Sequence, residues 1–210
     1  MQLHIYQPPE PEPEIYSLGQ SSLPEELWRS VDIALLGVEA TGPILFDGGA
    51  GDWKGWIDGE FSERVAKHLV KARKDCAGGI GIRELTQLDA DFDQQLLADE
   101  ARIRSVAAGK ALLLKNNGAR QVEPISKFSR QIESGACSGH AASVFALQAT
   151  LFNLSVNAML TAYLCLEWRG VSNNADWKAE FERLTPDLAA RMPGWLQSGG
   201  QSPFQPRGTA

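Results

Sequence analysis

Cys137 and His140 form the one thiol and imidazole pair that lies close in sequence. An imidazole beside a thiol can lower its pKa and make it a nucleophile, so the pair raises acyl or thioester chemistry. No third residue has a clear claim to orient the ring, and the small residues Gly135-Ala136-Cys137-Ser138-Gly139 equally suit tight helix packing. Asp47-Gly48-Gly49-Ala50-Gly51-Asp52 offers consecutive amides to an anion. It lacks the Gly-Lys-Ser/Thr ending of a phosphate loop, its flanking aspartates repel anions, and it reads as a surface turn. Gly78-Gly79-Ile80-Gly81 follows a helix and reads as a helix stop. Asp89, Asp91 and Asp93 resemble part of a calcium loop without its glycine and closing glutamate. Their expected role is to favour the first turn of a long helix. His4, His68 and His140 are far apart and no His or Cys pair has ligand spacing, so no resident metal or cofactor is expected.

The elements that must position these residues are helical. Phe61, Val65, Leu69 and Ala72 recur at helical intervals and predict an amphipathic helix to Cys76. One long helix is predicted from about Thr86 to Lys115, with Leu88, Phe92, Leu96 and Ile103 in the core. Gly109 inside it implies close approach of a neighbouring helix. Residues 121–138 read as a loop holding a short helix. His140 to Leu151 and Val156 to Arg169 then form an antiparallel pair around Asn153-Leu154-Ser155. Both are apolar nearly all round, which places them, with Cys165, at the centre of a bundle or against another subunit. Two short helices follow, from Ala175 to Leu184 and from Pro186 to Met192.

Upstream, Ser22-Leu23-Pro24-Glu25 has the form of a capping box and predicts a helix to about Leu36. Pro8 to Glu14 alternates proline and glutamate and should be extended, while Met1 to Gln7 could pair as a short strand. The expected organisation is mainly α: an arm over 1–20, a helical bundle domain over 21–197 and a flexible tail over 198–210.

With 210 residues, 43% of them hydrophobic, the chain can bury a real core. Its net charge of −6 disfavours a nucleic-acid partner held through phosphates. The densest basic cluster, Lys67, Lys71, Arg73 and Lys74, reads as a solvated helix face. No apolar run approaches the roughly 20 residues of a membrane span. The N-terminus leaves no room for a signal peptide's apolar core, and three cysteines at long spacings fit a reducing cytoplasm. Of six tryptophans, Trp53, Trp56 and Trp195 lie in the least regular segments. They are candidates for interface anchors or for lids over the core edge.

Between Leu88 and Ser172 the sequence carries Leu88-Asp89-Ala90-Asp91-Phe92-Asp93, Glu100-Ala101-Arg102-Ile103-Arg104-Ser105 and Gly109-Lys110-Ala111-Leu112-Leu113. Gly139-His140, Phe145-Ala146-Leu147-Gln148-Ala149, Asn153-Leu154-Ser155, Ala162-Tyr163-Leu164 and Val171-Ser172 follow. In type and order these segments resemble the UreF family of urease accessory proteins. The resemblance implies an all-helical fold without chemistry of its own, and as partners a nickel-handling GTPase and a companion scaffold protein; a homodimer of the chain is a further expectation. It points to Glu100, Arg102, Ser105, Gly109, His140 and Tyr163 as residues of partner binding or of the packing beneath it. The ends depart from the family pattern. Ser21-Ser22-Leu23-Pro24 runs directly into Glu25-Glu26-Leu27-Trp28 where a Pro-Gly-Gly-Phe segment is usual, and the His-Glu pair and Arg-Leu-Phe-like ending are missing from 198–210. Two rivals remain at this point: an enzyme using Cys137 and His140, with the region from Val31 to Phe46 lending strands to an α/β fold, and a structural subunit of a larger assembly.

Overall fold

The computed structural model describes residues 43–77, 81–96, 98–115, 123–172 and 174–198, together with Arg29 and Asp32. After a 3-10 turn at Ala50–Asp52 the elements are α1 (Trp53–Trp56), a π-helix (Ile57–Val65), α2 (Ala66–Ala77), α3 (Ile82–Gln95) and α4 (Asp99–Lys115). They continue with α5 (Glu123–Glu133), α6 (Ala141–Leu151), α7 (Val156–Val171) and α8 (Trp177–Ser198). The fold is a mainly α bundle, and no strand occurs among the described residues. The expected arm, N-terminal strand and glycine stop at Gly78-Gly79 lie outside the described residues, as do the tail beyond Ser198 and the expected first helix except for Arg29 and Asp32, both helical.

α6 has no polar face. Every residue from Ala141 to Ala149 is buried, Ser143 and Gln148 included. A helix without a solvent side needs neighbours all round, and α2 and α4 pack along it, with α3 and α7 completing the surround. α7 buries Asn157 to Trp168 without interruption and rests on α2 and α8 as well as on α6. The corner between α6 and α7 closes on Asn153, whose φ of 53° lets the Leu154 amide reach back to the Ala149 carbonyl at 2.9 Å. Ser155 caps α7 by accepting from the Ala158 amide.

Four expectations are corrected. The long helix is two helices: Leu96 is extended, and its carbonyl accepts from Arg102 Nη2 at 2.9 Å. Asp99 and Glu100 open α4, where negative charge suits the helix N-terminus. The interruption resets the helical phase, so Ile103 is 68% exposed instead of lying in the core with Phe92 and Leu96. The two expected C-terminal helices are one, α8, which runs through Pro186 and Pro193. Phe181, Leu188, Met192 and Trp195 bury one face of it on both sides of each proline, and that packing carries the helix past the missing amides. Arg73 is no solvated lysine-like residue. It is buried, and its Nε and Nη2 donate to the Leu154 carbonyl at 3.2 and 2.9 Å, tying α2 to the α6–α7 corner.

Two buried ionisable groups hold the bundle together without having been legible as a pair. Glu167 on α7 accepts the amides of Ile44 (2.8 Å), Leu45 (3.0 and 3.1 Å) and Phe46 (3.3 Å). Arg104 on α4 braces the same segment, donating from Nε to the Ile44 carbonyl and standing 3.3 Å from the Asp47 carboxylate. Burial pushes Glu167 up to about 7 against the pull of the three amides. On α2, His68 bonds Ser143 Oγ of α6 at 2.9 Å and lies 4.2 Å from the Phe92 ring. Burial, with the charge of His140 and Lys71 adding to it, holds His68 down to about 3.

The two groups act on stability with opposite sign. Native Glu167 holds a proton that the unfolded chain has lost, so its contribution is full below 4.5 and falls as pH rises towards about 7. Native His68 is neutral where the unfolded chain would be charged, so its contribution is full above 6.5 and falls as pH drops towards about 3. Thermal unfolding of Glu167→Gln is therefore expected to show stability rising with pH across the overlap. His68→Asn should show it falling, with the unsubstituted protein flatter than either. Parallel curves for all three proteins would refute the assignment.

Candidate functional site

The N-terminus of α6 is where the sequence candidates converge. In the three residues before it the chain turns into the helix, and the amides of that buried turn need acceptors. Asp89 reaches across from α3 and supplies one: Oδ2 accepts from Ser138 (3.0 Å) and Gly139 (2.7 Å), and Oδ1 accepts from His140 (2.9 Å). The acids at 89, 91 and 93 were expected at the first turn of their own helix. α3 begins at Ile82, and Asp89 instead holds the turn that leads into α6. Gly139 turns at a φ of +76°, which glycine adopts without strain.

α4 closes on this turn from the other side. A Cβ on Gly109 would sit 2.0 Å from the Gly139 carbonyl oxygen and 3.0 Å from the Ala141 nitrogen. The close approach expected of Gly109 is thus made to the backbone at the start of α6. One turn earlier, Ser105 Oγ lies 3.1 Å from His140 Nδ1, and His140 Nε2 lies 2.9 Å from Asp93 Oδ1. A carboxylate oxygen accepts, so Nε2 is the donor to Asp93. Arg102 stands 3.6 Å from the same carboxylate and pairs with Asp99 at 2.9 Å. The Phe92 ring meets His140 edge-on at 5.4 Å.

Arg102, Ser105, Gly109 and His140 therefore belong to one knot, with Glu100 exposed on the same helix. Tyr163 lies elsewhere, fully buried on α7, with Phe145 at 5.5 Å and its hydroxyl turned towards Glu167. Burial and the Glu167 charge hold that hydroxyl far above the usual phenol range. Trp53 and Trp56 sit in a third place, an aromatic cluster with Phe46, Phe61 and Trp168 whose ring centroids are 5.2 to 5.3 Å apart. Trp195 joins it through Phe61 at 5.0 Å. Each of these tryptophans is buried and forms part of the core edge.

The arrangement of Ser105, His140 and Asp93 has the members of a hydrolytic triad but not its order, since the serine is on Nδ1 and the acid on Nε2. Ser105 and His140 are completely buried, which leaves no room for a substrate. Cys137 does not recruit the imidazole. Its thiol is pushed up to about 12 by burial and by the Asp89 charge, the reverse of what a nucleophile needs. The Cys137–His140 chemistry of the enzyme rival fails on both counts, and residues 43–46, the described end of the segment that was to lend it strands, form none. Among the described residues no three His, Cys, Asp or Glu side chains gather as a metal site. An open groove of about 1190 Å³ between α2, α3 and α5 is lined by both signs of charge, including Lys71, Asp75, Arg83, Asp91 and Arg130. Asp89, Asp93, Glu167 and His68 escaped the sequence reading as partners of other elements. The one available signal was the i, i+4 spacing of Asp89 and Asp93, which puts both on one face of α3.

Two substitutions test the knot. Gly109→Ala is expected to cost about 1–3 kcal/mol or more, because its Cβ meets backbone that cannot move aside. Asp89→Ala should cost about 3 kcal/mol or more by leaving three amides without their acceptor. Urea unfolding midpoints measure both, and a change within error for either would refute the corresponding contact.

The profile of the UreF family matches residues 56–175, more than half of the 210-residue chain. No curated protein and no solved structure matches it. The matched stretch begins within the aromatic cluster and extends past α7, so it contains the whole Asp89–His140–Gly109 knot together with Tyr163 and Glu167. This chain belongs to the UreF family of urease accessory proteins.

Proposed function

We propose that this protein is a non-catalytic scaffold in the maturation of a urease-like nickel enzyme, binding a GTPase and a companion accessory protein in the cytoplasm, with nickel as cargo. The family match over 56–175 carries the proposal. The geometry supports it, since the imidazoles and thiols of the matched region are buried and the groups with chemical potential are used in holding helices together. No helix among the described residues is long and apolar enough to cross a membrane.

A scaffold acts through its surface, and α4 offers the most suggestive one. Ile103 is the most exposed large hydrophobic side chain among the described residues, and Glu100 lies one turn before it. Ala107, Lys110 and Ala111 continue that outward face. Half-buried Arg102 and buried Ser105 and Gly109 fix the helix that presents it, which gives these residues a role in partner binding through position. Self-association of the chain through such a face fits the same reading.

The test is reconstitution of the purified chain with a urease-system GTPase and its companion protein, followed by size exclusion with light scattering. A defined ternary complex is expected. Ile103→Asp and Glu100→Lys should weaken it roughly tenfold while leaving the melting temperature unchanged. A well-folded protein that engages neither partner would overturn the scaffold reading, and unaltered binding by both variants would remove α4 from it.

A further inference from the structure

The helical run from Trp53 to Ala77 changes its hydrogen bonding partway along. Between α1 and α2, nine residues from Ile57 to Val65 are π-helical, whereas π geometry elsewhere in proteins is mostly confined to single turns. A stretch of this length needs something to hold it. Ser62 Oγ donates to the Ile57 carbonyl five residues back at 2.5 Å, a side-chain bond that spans the π repeat. The same oxygen accepts from Trp195 Nε1 of α8 at 2.7 Å. Arg191, one turn earlier on α8, donates to Asp58 at 2.5 Å. Trp195 also packs edge-on against Phe61 at 5.0 Å. The contacts of Arg191 and Trp195 thus fall within the π segment, on Asp58, Phe61 and Ser62.

An independent observation lies at the other end of the segment. The indole N–H groups of Trp53, Trp56 and Trp168 are buried without an acceptor. Orphaned donors oppose the packed arrangement and would be relieved by exposure to water or to a partner's carbonyls and carboxylates. Gly59, in the middle of the π segment, has no neighbour within 4 Å of where a Cβ would be, so nothing there obstructs a change of backbone register.

We propose that the π-helix is a register switch latched by α8. While Trp195 and Arg191 grip Ser62 and Asp58, the segment stays in π register and holds Trp53 and Trp56 against Phe46 and Trp168. Release of α8 lets the segment relax to i→i+4 bonding, which turns α1 relative to α2 by about one residue's rotation, roughly 100°. The turn carries both tryptophans off the cluster and supplies acceptors to their N–H groups. The occupant that would hold the switch open is a protein surface presenting carbonyl or carboxylate oxygens.

Hydrogen exchange read by mass spectrometry on the full chain tests the latch. Ser62→Ala removes the hydroxyl with little change of volume, and Trp195→Phe removes the indole N–H while keeping an aromatic ring against Phe61. Exchange over residues 57–66 is expected to quicken about tenfold, with α6 and α7 unchanged and the tryptophan emission of Ser62→Ala shifted to the red. Ser62→Thr retains the hydroxyl and should behave as the unsubstituted protein. Unchanged exchange over 57–66 would overturn the proposal. So would equal acceleration in α6 and α7, which reports global loosening, or a Ser62→Thr protein that behaves as Ser62→Ala.

Discussion

The start of α6 is the point on which the bundle depends. A helix buried on all sides must also bury its N-terminal amides, and these can remain inside only with acceptors. Asp89 accepts the amides that lead into it, those of Ser138, Gly139 and the cap residue His140, from one carboxylate. That solution brings α3 to the end of α6. The missing side chain at Gly109 lets α4 close over the same turn. His140 then serves both neighbours, reaching Asp93 on α3 and Ser105 on α4. Two helices are thereby registered against a third by contacts within one small volume, and the apolar packing farther along α6 follows from that placement.

Three of the interior polar contacts follow a single pattern. Each links elements that are distant in sequence: Arg73 to the Leu154 carbonyl, His68 to Ser143, Glu167 to the amides of Ile44, Leu45 and Phe46. Apolar burial supplies the bulk of the driving force but tolerates small slips of one helix along another. A buried hydrogen bond tolerates none, since a slip leaves a donor or acceptor unmatched. The same residue types that in an exposed cleft would invite a catalytic reading serve here as registration marks.

Periodic apolar residues were legible from the sequence alone. Phe61, Val65, Leu69 and Ala72 are all fully buried, α6 and α7 occupy the centre, and Gly109 does mark a close approach. Each of those inferences rests on information local to one helix. What escaped was tertiary. Nothing near Glu167 in sequence announces that its partners are amides 121 to 123 residues away. The break after Leu96 depends on Arg102 folding back onto a carbonyl, and missing it misplaced Ile103. The π register of Ile57–Val65 is likewise invisible to a reading at 3.6 residues per turn, because the apolar spacing there fits an α-helix almost as well.

The Glu167 clamp also orders events in time. Ile44 leaves the ribosome well before Glu167, which follows 123 residues later. At ordinary elongation rates that separation amounts to roughly 6–25 s. For that interval Ile44-Leu45-Phe46 has neither its buried carboxylate nor the α7 surface on which it rests, although Trp53 and Trp56 are already at hand. The nascent chain thus carries an apolar, aromatic stretch that cannot be completed until nearly all of the bundle has been made, and the period of its synthesis is when this protein itself most needs the protection of a chaperone.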